Sequence, residues 1–462
     1  MSDLNPNQIK NTEIIFALND KPPAFQAFFA ALQHMLAIFI GIITPPLIIG
    51  GALQLPPDMK AFIISMALFV SGIATFIQVK KFGPVGSGIL SIQGTSFTFL
   101  GLSIGIGLSV KAAGGSPEQA LGTIFGVALI CSPVEMIFSR FIPFLKKIIT
   151  PLVSGIVVTL IGLSLIRVGI TDIGGGQWLL DNKPQFFASA QNLSLAALVL
   201  IIIIILNRSS NKWLRMGSIV IGLVIGYIAA ASMGLVQFGR ISSLGLFTVP
   251  IPFKFGFYIS WGHVIPMALL YLITTVESIG DLTATSMVSG EPIEGEVYMN
   301  RISGGVFGDG VNSALAAVFN SFPNTTFSQN NGVIQMTGVA SRYVGFWIAG
   351  LLVLFGLFPI IPNAVLGGAT IIMFGTVAAA GIRIISSSII DRRGVLIMAI
   401  SFGLGLGVAF RPEILGIFPS IIKQVFGSAI TTGGLTAIFL NIVLPQSLRD
   451  QSADGDAFEN IK

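Results

Sequence analysis

Residues 324–338 read NTTFSQNNGVIQMTG, a polar stretch inside an otherwise apolar half of the chain. A helix that spans hydrocarbon should not carry such a run of amide and hydroxyl side chains, because each buried polar group needs a partner that lipid cannot supply. Irregular polar backbone survives at membrane depth only where it is buried in protein or lines a cavity. The stretch is therefore either a surface loop or a substrate site, and we favour the site.

The composition of the chain indicates the class of protein. Of its 462 residues, 53% are hydrophobic and 10% are charged, and the mean hydropathy is +0.88. A soluble globular protein carries about 25% charged residues, so the chain is predicted to be a polytopic membrane protein. The basic residues behind the net charge of +5 are scattered, which argues against nucleic-acid binding. The single cysteine, Cys131, excludes an internal disulfide.

The hydropathy pattern predicts about fourteen apolar segments, each of roughly 20 residues. If the N-terminus is cytosolic, most of the 25 basic residues fall on cytosolic loops, as the positive-inside rule requires. This bias predicts an even number of spans with both termini in the cytosol. Residues 1–23 lack the apolar core of a signal peptide and are interpreted as a retained cytosolic tail. The segments lie near residues 25–49, 61–79, 84–109, 119–139, 149–171, 191–207, 216–236, 259–288, 303–321, 325–340, 343–361, 364–385, 394–410 and 428–445.

Two stretches in the two halves of the chain resemble each other, namely residues 151–170 and residues 362–382. If the first half has seven spans, the two copies enter the membrane from opposite sides, which is the inverted repeat of many secondary transporters. So short a match in glycine-rich and valine-rich sequence can also arise by chance. Val153, Gly155, Gly169 and Ile170 match Val365, Gly367, Gly381 and Ile382 at one constant offset.

The repeat predicts that residues 83–99, GPVGSGILSIQGTSFTF, correspond to the polar stretch in the second half. Each copy places a Gln and a Phe close together, Gln93 and Phe97 in the first and Phe327 and Gln329 in the second. Paired broken segments at corresponding positions point to a binding site at the bilayer midplane, where half-helix N-termini aim N–H groups at a ligand. The alternative is that the glycines of the first copy only allow helices to pack.

Three acidic residues lie in apolar segments just upstream of the polar stretch. Glu277 and Asp281 are four residues apart and share one helical face, and Asp309 lies in the next segment. An ionised carboxylate at mid-membrane costs about 2.5–3.5 kcal/mol, so we expect at least one acid to be protonated and able to exchange its proton. A proton fits better than sodium as the coupling ion, because protonation removes the buried charge. Alternatively, Asp281 or Asp309 only bonds a neighbouring helix.

Three further polar residues lie in or beside the apolar segments. Glu135 is followed by Arg140 near a predicted membrane edge, which favours an interfacial ion pair. Gln33 and His34 lie within the first segment, where a lone histidine is usually a hydrogen-bonded packing group and here could support the site. The sequence contains no Cys/His metal cluster, Walker loop or Ser/His/Asp set, so no enzyme class is indicated.

The motif QNNGVIQMTG, with Gln33 and His34 upstream and the three acids at these intervals, resembles the nucleobase–ascorbate transporter family, in particular its bacterial xanthine permeases. The resemblance covers nearly the whole chain. It implies an all-α membrane protein of about fourteen spans in two inverted repeats of seven, with short extended strands in the broken third and tenth segments. Gly338 stands where many family members have a basic residue, which leaves the substrate range open.

The resemblance also implies a division into a core domain and a gate domain, the gate usually making the dimer contact. The implied boundaries are a cytosolic tail at 1–23, core at 24–140, gate at 141–240, core at 255–361, gate at 362–446 and a second cytosolic tail at 447–462.

Residue roles carry over by position. Glu277 and Gln329 would hydrogen-bond the base and Phe97 would stack on it, while the backbone at Ser96, Phe97 and Ser328 would complete the contacts. The remaining implied site residues, Asn330 beside the base and Asp281, Asp309, His34 and Gln33 in proton coupling or support, complete the set.

The chemistry of the residues agrees with a purine dione, whose ring alternates N–H and C=O groups that an amide such as Gln329 can match. Together with the acids in the apolar segments, the resemblance implies a proton-coupled importer of a purine nucleobase, foremost xanthine, in the cytoplasmic (inner) membrane. It also implies a homodimer in contact with lipid, and we expect no cofactor beyond the coupling ion H⁺. The alternatives are a uric acid, hypoxanthine, guanine or uracil permease of the same family, or a passive channel, which would need a continuous polar stripe.

Overall fold

The computed structural model describes residues 14–142, 150–176, 179–180, 183–211, 214, 218–234, 248–357, 366–386 and 390–445. Most of these residues are helical, and seven helices among them are long and apolar enough to cross a membrane. The predicted class, a multi-pass helical membrane protein, is confirmed. The number of spans stays a prediction.

The first helices are α1 (Ala24–Ala52), α2 (Pro57–Lys80), α3 (Leu100–Ala112), α4 (Pro117–Cys131), α5 (Pro133–Phe138), α6 (Pro151–Ile173), α7 (Ala190–Asn207) and α8 (Ser218–Ser232). The later ones are α9 (Val264–Val288), α10 (Gly295–Val318), α11 (Gln329–Thr337), α12 (Arg342–Gly356), α13 (Leu366–Ser386), α14 (Arg392–Phe410), α15 (Ser420–Phe426) and α16 (Ala429–Val443).

The two predicted broken segments each contain a short buried strand, β1 (Gln93–Thr95) and β2 (Asn324–Thr326). The strands pair antiparallel, with Gly94 opposite Thr325 at the centre. Gly86 and Gly88 precede β1 with φ of 100° and 74°, a conformation that stops a helix. The strands expected from the resemblance are therefore present, and they join the two halves of the chain at one place.

Each strand leads into a helix that starts inside the protein. After β1, a 3-10 turn at Phe97–Phe99 is capped by the Ser96 side chain, which accepts from the Thr98 N–H, and α3 follows. After β2, α11 begins at Gln329 and ends at Thr337, and the next residue, Gly338, has a left-handed φ of 69°. Extended backbone followed by a helix therefore places two helix N-termini next to the strand pair.

Part of the predicted N-terminal tail is bound to the protein. The N–H groups of Ile15 and Phe16 donate to the Gly338 carbonyl at 2.8 and 3.1 Å, and the Ala340 N–H donates to the Phe16 carbonyl at 2.9 Å. We call residues 14–20 the N-terminal strap. It holds the chain directly after α11. Residues 1–13 and 447–462 of the predicted tails lie outside the described residues.

The two stretches that matched in sequence lie on α6 and α13, which pack against each other. Gly155 lies beside the Gly381 carbonyl and Gly169 beside Ile371, so the two helices run antiparallel. Close glycine contacts allow this backbone approach. The opposite directions agree with the expectation of an inverted repeat, which remains a prediction. One matched position, Val365, lies outside the described residues.

Candidate substrate site

Glu277 lies on α9 and faces the first broken segment. Its side chain is 7% exposed, and Oε2 accepts a hydrogen bond of 3.0 Å from the Thr98 hydroxyl in the 3-10 turn after β1. Because the two residues are 179 positions apart, no local pattern in the sequence pointed to Thr98. This hydroxyl is a site residue that the sequence analysis missed.

Asp309, on α10, is fully buried and accepts hydrogen bonds from three side chains. The Ser278 hydroxyl donates at 2.5 Å, the Thr326 hydroxyl at 3.2 Å, and the Gln78 amide is also a donor. Three hydrogen-bond donors stabilise an ionised carboxylate in the protein interior. The carboxylate thereby joins α2, α9, α10 and β2, which favours the bonding alternative that the sequence left open for this residue.

Asp281 lies one turn beyond Glu277 on α9 and is 1% exposed. Its Oδ1 has no hydrogen-bond partner among the described residues. Asp309 accepts from Ser278, which directly follows Glu277 on α9. The structure therefore brings the three predicted acids into one region. The one ion pair within the described ranges, Arg301 with Glu291, involves none of them.

His34 and Asn330 form a buried pair between α1 and α11. The His34 Nδ1 lies 2.9 Å from the Asn330 Oδ1, and the Asn330 Nδ2 donates to the Leu90 carbonyl at 2.6 Å. Because this amide already uses its NH₂ group toward Leu90, its oxygen accepts from His34, so the histidine carries its proton on Nδ1. Asn330 is thus bonded within the protein on both amide atoms. Gln33 is half-buried and forms none of these bonds.

The other predicted contacts lie at the start of the two half-helices. Gln329 is the first residue of α11 and is half-buried, and Ser328 directly precedes it. Phe97 is 6% exposed, and its ring meets Phe374 of α13 edge-on at a centroid distance of 5.5 Å. The Ser96 N–H donates to the Pro323 carbonyl at 2.8 Å, so this group is already used within the protein.

The expected interfacial pair of Glu135 and Arg140 is wrong. Glu135 is fully buried, and the Arg140 guanidinium lies over the Phe307 ring, 4.9 Å from its centroid. The reason is that α5 packs closely against α10, where Met136 contacts Gly310. This packing turns the carboxylate into the protein rather than toward the membrane surface.

Comparison with known sequences places these residues in context. The family profile Xan_ur_permease, described as a permease family, matches residues 25–414. Xanthine permease XanP of Escherichia coli (strain K12) is 48% identical over 446 residues, which cover 95% of this chain and 96% of the relative. Xanthine permease XanQ of the same organism is 47% identical over 459 residues, covering 98% and 97%. Uric acid permease PucJ of Bacillus subtilis (strain 168) is 33% identical over 442 residues, covering 93% and 95%.

Solved structures share the fold at much lower identity. The transmembrane domain of a cyanobacterium bicarbonate transporter, BicA, is 15% identical with a TM-score of 0.55, covering 92% of this chain and 100% of that one. The murine anion transporter Slc26a9 in its inward-facing state is 13% identical with a TM-score of 0.57, covering 92% and 69%. These likenesses show a membrane-transporter fold and nothing about the substrate.

Proposed function

The chain belongs to the nucleobase–ascorbate transporter family, and on this premise we propose that it imports xanthine together with a proton. It is a permease and not an enzyme. The observation that carries the proposal is the contact between Glu277 and Thr98, because it holds a buried carboxylate next to the strand pair. The identity of 47–48% to two xanthine permeases over nearly the whole chain supports xanthine as the substrate.

Glu277 supplies the acceptor that a purine dione needs. The Thr98 hydroxyl engages Oε2 and leaves Oε1 for a ring N–H. A hydrogen bond to an ionised group contributes about 1.5–3 kcal/mol, and burial excludes water that would compete for the carboxylate. Glu277 is thereby the residue on which affinity depends most.

Gln329 and Phe97 supply the rest of the recognition. The Gln329 amide offers two N–H donors and a carbonyl acceptor, which match the alternating groups at the edge of the base. The Phe97 ring offers an apolar face, and stacking of aromatic rings contributes about 0.5–1.5 kcal/mol beyond the area buried. The N–H groups of Asn330 and Asn331 at the start of α11 already donate to the Phe327 and Ser328 carbonyls, so this N-terminus favours acceptors on the ligand through its helix dipole.

The proposal of proton coupling rests on a difference in hydrogen bonding between the buried acids. Asp309 has three donors and is suited to stay ionised, whereas the Asp281 Oδ1 has none among the described residues. A proton taken up by Glu277 or Asp281 removes a buried charge before the loaded core moves against the gate. The moving units are the core, residues 24–140 and 255–361, and the gate, residues 141–240 and 362–446.

The proposed membrane, orientation and oligomeric state follow from the resemblance to the family. The protein lies in the cytoplasmic membrane with both termini in the cytosol, surrounded by lipid, and pairs through its gate domain as a homodimer. Cysteine labelling from each side of the membrane tests the orientation. Native mass spectrometry from detergent tests the dimer.

Uric acid is the second candidate substrate, because uric acid permease PucJ is 33% identical over 93% of the chain. One oxo group separates the two bases, which changes only a contact or two. A competition panel of xanthine, uric acid, hypoxanthine, guanine and uracil against labelled xanthine ranks them directly.

Uptake of labelled xanthine into proteoliposomes tests the proposed function. With an imposed inward proton gradient we expect uphill accumulation that a protonophore abolishes. The variants Glu277→Gln and Gln329→Ala should each weaken binding strongly, and Glu118→Gln, an exposed residue at the start of α4, is the matched control. Wild-type uptake that ignores the gradient would refute proton coupling. Wild-type affinity in either site variant would refute the assignment of that residue.

A further inference from the structure

Glu135 is a fourth buried acid near the site, and no step above uses it. It lies on α5, directly after the bend at Pro133, and its side chain is 0% exposed. Neither carboxyl oxygen has a partner at full hydrogen-bonding distance among the described residues. An ionised carboxylate in such a place would be strongly destabilised, because nothing compensates for the lost water. The geometry therefore favours the neutral, proton-bearing form.

The surroundings of Glu135 are acidic or neutral on every packed element. Asp309 on α10, Glu277 on α9 and Tyr271 on α9 are its titratable neighbours, and Cys131 lies beside Tyr271 in turn. The nearby guanidinium, that of Arg140, lies over the Phe307 ring instead. Among the described residues, no cation offsets a charge on Glu135.

Thr274 connects Glu135 with the substrate site. Its hydroxyl donates to the Tyr271 carbonyl at 3.0 Å, and it makes no full hydrogen bond with the Glu135 carboxyl. A proton can therefore pass through Thr274 only when this hydroxyl turns away from Tyr271. Thr274 also precedes Glu277 by three residues on α9, so the two side chains lie on one face.

We propose that Glu135 is a proton-carrying residue of the coupling mechanism that exchanges its proton with Glu277. In the exchange, the Thr274 hydroxyl turns away from the Tyr271 carbonyl and releases its proton, which forms the O–H bond on Glu277. The O–H bond of Glu135 breaks as its proton passes to the Thr274 oxygen. Glu135 is thus a reservoir beside the site and does not touch the base. This inference rests on the proposed function, since it needs a proton to be coupled to xanthine.

The test separates binding from coupling. Glu135→Gln is isosteric with the protonated carboxyl, so the variant is expected to fold and to bind xanthine with an affinity within about twofold of wild type. In proteoliposomes with an inward gradient of about one pH unit, one coupled proton can sustain about tenfold accumulation, because a tenfold ratio corresponds to about 1.4 kcal/mol. We expect Glu135→Gln to fall to about equal concentrations inside and outside, while exchange of labelled for unlabelled xanthine continues.

Glu118→Gln is the matched control, because it makes the same chemical change at an exposed position on α4. It should accumulate xanthine like wild type. A pH-sensitive dye inside the vesicles measures the protons that enter with xanthine, and this signal should disappear in Glu135→Gln alone.

Four results would overturn the inference or the function on which it rests. Accumulation and proton entry equal to wild type in Glu135→Gln would show that the residue carries no proton. Loss of exchange together with a lower melting temperature would show a structural role. A wild-type protein that takes up xanthine without regard to the gradient would remove proton coupling itself, and a wild type that takes up no xanthine would refute the proposed function.

Discussion

The two broken segments meet at one strand pair, yet they are held in place differently. The first runs from β1 through the 3-10 turn into α3, which is apolar over most of its length, and the second runs from β2 into α11, which is polar over most of its length. The Asn330 amide in the second segment bonds α1 and the Leu90 carbonyl. In the first segment, Gly94 instead lies directly against the ring of Phe327. The first segment thus adds close packing to hydrogen bonds such as the one from the Gln93 N–H to the Thr75 hydroxyl at 3.0 Å, and the second depends on an amide that is bonded on both sides.

This difference determines what each segment can contribute. A packed segment presents backbone and a few side chains, of which the Thr98 hydroxyl reaches the acid on α9. A hydrogen-bonded segment can present amides, but each of its buried bonds leaves an unpaired group when a partner is removed. Substitutions in the second segment should therefore cost more stability than comparable ones in the first.

Asn330→Ala tests that expectation, and among these variants it should lower the free energy of unfolding most. The change leaves the His34 ring nitrogen and the Leu90 carbonyl without partners, and each unpaired buried group costs about 1–3 kcal/mol. We expect the free energy of unfolding to fall by about 2–6 kcal/mol, measured by denaturation in detergent. Asn300→Ala, at an exposed position on α10, is the control and should change little. Equal effects of the two variants would remove the basis of the comparison.

Gly94→Ala tests the packing of the first segment. An added Cβ would lie 2.8 Å from the Phe327 Cε1, closer than real contacts allow, and overpacking of this kind costs about 1–3 kcal/mol. Because Ser328 and Gln329 directly follow Phe327, displacement of the ring should also weaken xanthine binding. The melting temperature and the Kd for xanthine measure the two effects.

Gly101→Ala is the matched control for that prediction. Gly101 lies in α3, and no atom of the described residues comes within 4 Å of the Cβ that alanine would add. Its melting temperature should stay equal to wild type or rise, because alanine favours the helix over glycine by about 1 kcal/mol. If both variants behaved alike, close approach at Gly94 would not be what fixes the first segment.

Thr98→Val tests the hydrogen bond from the first segment to Glu277. Valine keeps the shape of threonine and removes the donor to Glu277. Since a bond to a charged group is worth about 1.5–3 kcal/mol, we expect the Kd for xanthine to rise about tenfold or more. Thr123→Val is the control, because that hydroxyl bonds only the Gln119 carbonyl of its own helix. An unchanged Kd in Thr98→Val would mean that Glu277 needs no orientation from the first segment.

Much of the site could be predicted from the sequence because its signals are local. A carboxylate or a cluster of amides in an apolar segment is conspicuous because its insertion into the membrane costs free energy. This cost alone indicates Glu277, Asp309 and residues 324–338. The strand pair followed from the resemblance. The class of fold needed only the composition.

The partners of those residues could not be predicted, because they depend on which helices meet. Gln78 donates to Asp309 across 231 positions, and Ser278 is a polar residue without any distinguishing pattern. Glu135 was misplaced for the same reason, since its burial depends on how closely α5 packs against α10. The sequence predicts only a cytosolic tail for residues 1–23 and gives no sign of the N-terminal strap, because the composition there is mixed and the strap bonds the residues directly after α11 through its backbone.

The strap gives the second segment a support that the first does not have, and Ser341→Ala measures it with the smallest expected effect. The Ser341 hydroxyl donates to the Asp20 carbonyl in the strap at 2.6 Å and also accepts from the Tyr343 N–H as the cap of α12. Ser116→Ala removes only a cap, that of α4, which costs about 0.5–2 kcal/mol. The strap bond should add about 1 kcal/mol to the loss in Ser341→Ala. If the two variants unfold at the same denaturant concentration, the strap does not stabilise the end of α11, and the two segments differ only in their buried amides.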